Sequence, residues 1–334
     1  MRLLTTITLC MLAALSPALA QEPIRITASD LPGEGDTYRM SVAANTQQID
    51  IEKTGAGVIW DYQGLTAATQ YVDTFQGLNN LPQIYSLLSF QKSLDFGKKE
   101  AALLDNLPMA GQLPIQNIQG LYGKSNNAYE QVAFGVEISG QAIPVPFERN
   151  DRIYTLPLTY QQKDSSKSSF SFPPQNLPIP ISDSGLYCEE NRKRINEVDA
   201  WGTLKTPYGS FKTLRVKTVI QRDDSVSLQG INQAVEPPDQ VLFKWLAKEG
   251  GNPILQVRAQ RVAGELVVSN ASYQDSARDD EKADPTGIAS QQRTDLKLYP
   301  NPANSTLNLS YAGIEADSYA IYNLDGQLKQ EGPL

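Results

Sequence analysis

This 334-residue chain contains no histidine, and the acid–base chemistry that remains open to it in a recognised form is that of paired carboxylates. The lack of histidine removes Ser-His-Asp and Cys-His catalysis, the metalloprotease zinc helix and most zinc and copper sites. Two carboxylates alone can cleave a glycosidic bond, one as acid and one as base or nucleophile. Glu148, Asp151, Glu189 and Glu190 are the candidates, but no spacing singles them out, and solvated strand edges and turns account for all four. Cys188 has no histidine to activate it and reads as a small buried hydrophobe rather than a nucleophile. Gly33-Glu34-Gly35-Asp36 is an ordinary turn, and no Gly-rich loop follows a strand to cradle phosphate. Asp279, Asp280, Glu281 and Asp284 lack the glycine and final glutamate of a calcium loop. No catalytic, cofactor or metal residues are therefore assigned, and the chain reads as non-enzymatic.

The elements around these residues point outward from the cell. Arg2 precedes an apolar run over Leu3–Leu15, Ser16-Pro17 breaks it, and Ala18-Leu19-Ala20 is a small-x-small cleavage site. Residues 1–20 read as a secretory signal peptide cut between Ala20 and Gln21, handled by the general secretory machinery. The run is too short to span a bilayer, and no later segment is a transmembrane candidate. The whole chain carries a net charge of −8, and loss of Arg2 brings it to about −9. Such a chain repels phosphate backbones, so nucleic acid is excluded as a partner. Cleavage also removes Cys10; Cys188 is then alone, and no intrachain disulfide can form.

The remainder alternates with the period of strands. Val132, Phe134, Val136 and Ile138 share one face, as do Leu214, Val216, Thr218 and Ile220. Val241, Phe243, Trp245 and Ala247 oppose Lys244 and Lys248, and Leu255, Val257 and Ala259 oppose Gln256 and Arg258. One face on a core and one in water predicts antiparallel sheets. The expected fold is mostly β: an antiparallel sandwich or meander with little helix. An N-terminal block (21–94) would hold strands at Thr37–Ala44, Ile49–Lys53, Val58–Tyr62, Tyr71–Gly77 and Ile84–Leu94. A second block (95–275), in one domain with the first or apart from it, would run as a long meander after a Ser- and Pro-rich surface loop, Ser165–Ile181. Trp60 is expected in the core, with Asp61 capping the turn after it. Residues 276–294 are charged, nearly free of bulky apolar side chains, and read as a disordered linker.

The C-terminal segment 295–334 carries the most specific signal. Leu296 and Leu298 alternate with Lys297, and Tyr299-Pro300-Asn301-Pro302 stops the strand with two fixed φ angles and two missing donors. Tyr319–Leu324 then leads into Asp325-Gly326, a type I′ hairpin signal. Tyr299–Ala303 followed by that hairpin strongly resembles the type A C-terminal sorting domain of type IX secretion cargo. The resemblance covers only this segment. It implies an immunoglobulin-like sandwich, recognition by the type IX outer-membrane translocon, and a secreted or cell-surface destination, with Leu298, Tyr299, Pro300, Asn301, Pro302, Asp325 and Gly326 as the sorting motif. Members of the family continue past this hairpin with further strands, so the domain is expected to be truncated here; a true truncation would leave the protein periplasmic. Val58–Leu65 is similar to a Trp-Asp-aromatic stretch near the mature N-terminus of many such cargo proteins. Trp201–Val216 resembles an element of uncharacterised secreted β-proteins. Organisms with this pathway often O-glycosylate Asp-Ser-apolar triplets, which marks Ser225 and Ser276.

Three functions fit these observations, in descending order. The first is a non-enzymatic binding or structural protein exported by the type IX route. The second is a carrier of lipid or another apolar ligand, its pocket in a half-barrel meander. The third is a carboxylate-based glycan hydrolase.

Overall fold

The computed structural model describes residues 22–90, 93–99, 115–174, 186–228, 230–262, 264–277, 297–299, 308–310, 318–322 and 328–333. Signal residues Ala18, Ala20 and Gln21, linker residues 278–294, and Pro300, Asn301, Pro302, Asp325 and Gly326 lie outside them. The chain divides into two compact units, Met1–Ala277 and Arg278–Leu334.

The first unit is built on one hairpin. Strands β9 (Leu186–Thr206) and β10 (Gly209–Leu228) pair antiparallel from Leu186↔Leu228 to Thr206↔Gly209, with Pro207 and Tyr208 making the turn. At about 3.3 Å per residue each strand runs roughly 65 Å, long enough to offer its free edge to two partners. The free edge of β9 takes β8 (Lys163–Phe172) along residues 188–197 and β2 (Gly55–Asp61) along residues 200–205. The β2 pairing is parallel, and the rest of the sheet is antiparallel. A Cβ at Gly202 would collide with the Val58 carbonyl, so only glycine lets β2 approach there. The free edge of β10 takes β12 (Gln240–Ala247) and, farther along, β11 (Ile231–Val235).

From β12 the sheet continues through β13 (Leu255–Val262), β14 (Glu265–Gln274), β1 (Thr37–Ala43), β3 (Ala67–Gly77), β4 (Phe96–Lys99), β5 (Ile115–Lys124), β6 (Ala128–Ile138) and β7 (Gln141–Thr155) back to β8. The β9–β10 pairing joins the ends, so twelve strands close into a ring and β2 and β11 hang from it. The mostly β, antiparallel expectation holds. The sandwich and the half-barrel do not, because Met40↔Gln274 and the β9–β10 ladder leave no gap that would divide the strands into two sheets. The seam is narrowest between β7 and β8, where Arg149↔Ser169 is the single registered pair.

Three local expectations are also corrected. Ser165–Ile181 is not a surface loop throughout: Lys163–Phe172 is strand β8, because Phe170 and Phe172 seat in a core with Phe134, Phe147 and Val226. Residues 83–90 form a 3₁₀ helix rather than a strand; Tyr85 and Leu88, one turn apart, pack under β5 and β6 with Leu121 and Val132. Ile49–Lys53 is irregular and bends at Ile51-Glu52 rather than forming a strand, with Ile49 and Ile51 buried.

The ring has distinct outer and inner faces at β12–β14. Outward, Phe243, Trp245, Leu255, Val257 and Tyr273 pack against residues 43–65, which cross the sheet as a strap. Trp60 and Trp245 are fully buried and meet edge to face at 5.7 Å. Arg215 is sealed among them, 5.1 Å from the Phe243 ring centroid. It is neutralised by a bidentate pair to Asp199 at 2.9 and 2.8 Å and donates to the Ile51 carbonyl. Asp61 accepts the Gln63 amide and pairs with Lys205.

The second unit contains two antiparallel pairs: β15 (Lys297–Tyr299) with β16 (Asn308–Ser310), and β17 (Ser318–Tyr322) with β18 (Leu328–Pro333).

Candidate ligand site inside the strand ring

Eight strands give a barrel whose interior side chains just fill; twelve enclose more than side chains alone occupy. Here the interior holds a cavity of about 540 Å³, within the range of small-ligand sites. One wall is aromatic: Tyr122 of β5, Tyr129 of β6 and Tyr154 of β7 line it, and Phe96 of β4 backs them. Phe96 on β4 stacks on Tyr122 of β5 at 5.7 Å, Tyr122 on Tyr129 of β6 at 5.8 Å, and Tyr129 on Tyr154 of β7 at 6.3 Å. Register fixes the ladder: Phe96 lies opposite Tyr122, and Tyr129 opposite Tyr154. Phe75 of β3 meets Phe96 edge-on at 5.6 Å.

The facing wall comes from the even-numbered residues of β12 and β13: Leu242, Lys244 and Leu246, with Gln256 and Arg258. Between the walls Asp73 holds Lys98 at 3.1 Å and accepts from Asn252 at 2.7 Å. The Lys98 ammonium also lies 5.7 Å from the Phe75 ring centroid. The cavity thus joins stacked rings and leucines to the cations Lys98, Lys244 and Arg258.

None of the four carboxylates singled out above lines this cavity; Asp151 and Glu190 meet on Arg192, whereas Glu148 and Glu189 are exposed. Glu148 is exposed and accepts from Ser169 and Ser171; Glu189 is exposed and accepts from Asn191. Glu189 and Glu190 are neighbours on a strand and so point to opposite faces. Asp151 is fully buried. Arg194 holds it through two bonds of 2.9 and 2.7 Å, and Arg192 through a third. Burial opposes its ionisation, yet the Arg194 and Arg192 charges keep its carboxyl well below the usual range. Glu190 completes the network on Arg192 at 2.7 Å. Asp224, not singled out from the sequence, is buried beside it with both oxygens lacking a hydrogen-bond partner. Burial, then the Glu190 charge, raises it to about 6. Cys188 packs against the Phe134 and Phe147 core, and burial pushes its thiol up to about 12. Ser225 and Ser276 are both exposed. Among the described residues no group of three His, Cys, Asp or Glu is placed to hold a metal ion, and no helix is long and apolar enough to cross a membrane.

The cavity cations went unread because Lys244 and Arg258 occupy what the alternation marks as the solvent face. A signal against that reading is present: Val241–Phe243 and Trp245–Ala247 are apolar on both parities, as expected of a strand covered on both sides.

In the second unit Leu298 and Tyr299 lie in β15, with Leu298 opposite Leu309. Its four strands fall within residues 297–333, and residues 297–331 match the family model of the secretion system C-terminal sorting domain. The chain is a cargo protein of the type IX secretion system, destined for the cell surface or the medium. No curated protein and no solved structure matches the chain.

Proposed function

We propose that the ring unit is a non-enzymatic binding protein that carries an amphiphilic small molecule with an anionic head. In this reading residues 1–20 take it across the inner membrane, and the type IX translocon takes it across the outer one. The supporting observation is the cavity of about 540 Å³ inside the ring, aromatic on one wall, with Lys98, Lys244 and Arg258 around it. Stacked Tyr122, Tyr129 and Tyr154 offer apolar area that costs little conformational entropy to order. The cations supply the orienting charge that a mostly apolar site needs.

The test is mass spectrometry of organic extracts from the full-length protein purified from its native source. An acidic amphiphile should be recovered in near-stoichiometric amount and should be absent from extracts of a Leu242→Trp variant that fills the cavity. A clean extract from the unaltered protein, together with no uptake of added fatty acid, overturns the proposal.

A further inference from the structure

Two tyrosines mark different ends of the ring cavity. Tyr71 of β3 lines it and is 41% exposed, so the cavity reaches solvent there. The Tyr71 hydroxyl bonds Ser272, and the charges of Asp73, Lys98 and Arg258 all bear on it. This is the charged end. Tyr154 of β7 stands at the other: three strand spacings, about 14 Å, separate β7 from β4, the strand of Lys98.

Tyr154 is 4% exposed and belongs to the apolar cluster that holds Leu156, Val198, Val216 and Leu246. The Arg194 charge bears on it, but Arg194 is held by Asp151. Among the described residues the Tyr154 hydroxyl makes no hydrogen bond. Nor do protein atoms wall it off: it keeps surface of its own, and the open space that Tyr154 lines is this cavity. A buried phenol ordinarily finds a partner, and here the partner has to come from what occupies the cavity. Burial holds the phenol proton far above its usual range, so at neutral pH the group is a donor.

We infer that the carried amphiphile bears a second oxygen, a hydroxyl or carbonyl toward the end of its hydrocarbon tail, and that Tyr154 is a specificity residue donating a hydrogen bond to it. The inference rests on the carrier reading above and extends it. The anionic head stays at the Lys98 and Arg258 end, near solvent, and the tail runs along the Tyr122 and Tyr129 rings to Tyr154. A plain alkyl tail would leave the Tyr154 hydroxyl unpaired among apolar side chains. An oxygenated tail would be costly to bury against those side chains without the phenol. Each group offsets the cost of the other, so the site discriminates by the pair.

Titration calorimetry on the full-length protein with dodecanoate and ω-hydroxydodecanoate tests the assignment, run beside Tyr154→Phe, which keeps the ring and removes the donor. The unaltered protein should bind the hydroxy acid at least as tightly as dodecanoate, although its tail is the better hydrated in water. This comparison needs no variant and stands even if Tyr154→Phe folds poorly. Tyr154→Phe should weaken the hydroxy acid about tenfold, leave dodecanoate unchanged or tighter, and keep its melting temperature. A merely structural role for Tyr154 would weaken both acids alike. Preference of the unaltered protein for dodecanoate, or an equal effect of Tyr154→Phe on the two acids, overturns the assignment while the carrier reading stands; failure of both acids to bind overturns both.

Discussion

The two faces of strand β12 have been put to different uses. Outward, Phe243 and Trp245 are sealed under the strap with Trp60 and the neutralised Arg215. Inward, Leu242, Lys244 and Leu246 border open space. The backbone, register and neighbouring strands are the same, so the difference lies in what covers each face. A strap of residues 43–65 closes the outer face to the density of a core, where every lost methylene is felt. The inner face is held apart from its opposite wall by the size of a twelve-stranded ring. Stability is concentrated outside and room for a ligand inside.

That contrast can be broken most forcefully at Trp60. Trp60→Ala should cost about 3–5 kcal/mol, the expected range for a fully buried aromatic, read as a lower midpoint in urea unfolding. Leu242→Ala on the inner face already borders a cavity and should cost well under half as much; equal losses would mean that the inner face is packed as tightly as the outer.

Two buried carboxylates sharpen the contrast inside the ring. Asp151→Asn strips the counter-charge from Arg192 and Arg194 and should destabilise by about 3–5 kcal/mol. The folded-state pKa of Asp151 is depressed, so its contribution is present at neutral pH and is lost as pH falls below the unfolded carboxylate range. Asp224 has the opposite sign. Its carboxyl is raised to about 6, so the folded state holds a proton that the unfolded state has released. Stability is therefore lost as pH rises from about 4 through 6. Asp224→Asn should be the more stable protein at pH 7.5, with the gap closing toward pH 4. Melting temperatures across that range check both signs, and a gap independent of pH would contradict the placement of Asp224.

Much of the fold could be read from the chain because its strands obey local rules. The alternations around Leu214 and Leu255 lie inside β10 and β13. What was hidden depends on pairing across long stretches of chain. Met40 meets Gln274, and β9 serves three partners, so ring closure leaves no local mark. β8 was hidden by its serines, which are weak strand formers; it exists because β9 offers it a ten-residue ladder and Phe170 and Phe172 a core. Residues 83–90 carry apolar side chains at a spacing that serves a strand or a tight helix, and burial of Tyr85 with Leu88 selects the helix. The cavity followed the same logic: a lysine in an alternating run looks solvent-facing until the opposite wall is known. The sorting tail was legible because Tyr299–Ala303 is a motif in sequence and needs no partner to be recognised.

The central claim is that the interior of the ring holds a ligand. Fluorescence titration of the full-length protein with an environment-sensitive fatty acid tests it most directly, run beside Leu242→Trp and Lys244→Met. One saturating site is predicted for the unaltered protein, with loss of binding in Leu242→Trp. Lys244→Met should weaken binding about tenfold, equivalent to about 1.4 kcal/mol of head-group attraction, without a change in melting temperature. Undiminished binding in Leu242→Trp, or no saturable binding to the unaltered protein, would contradict it.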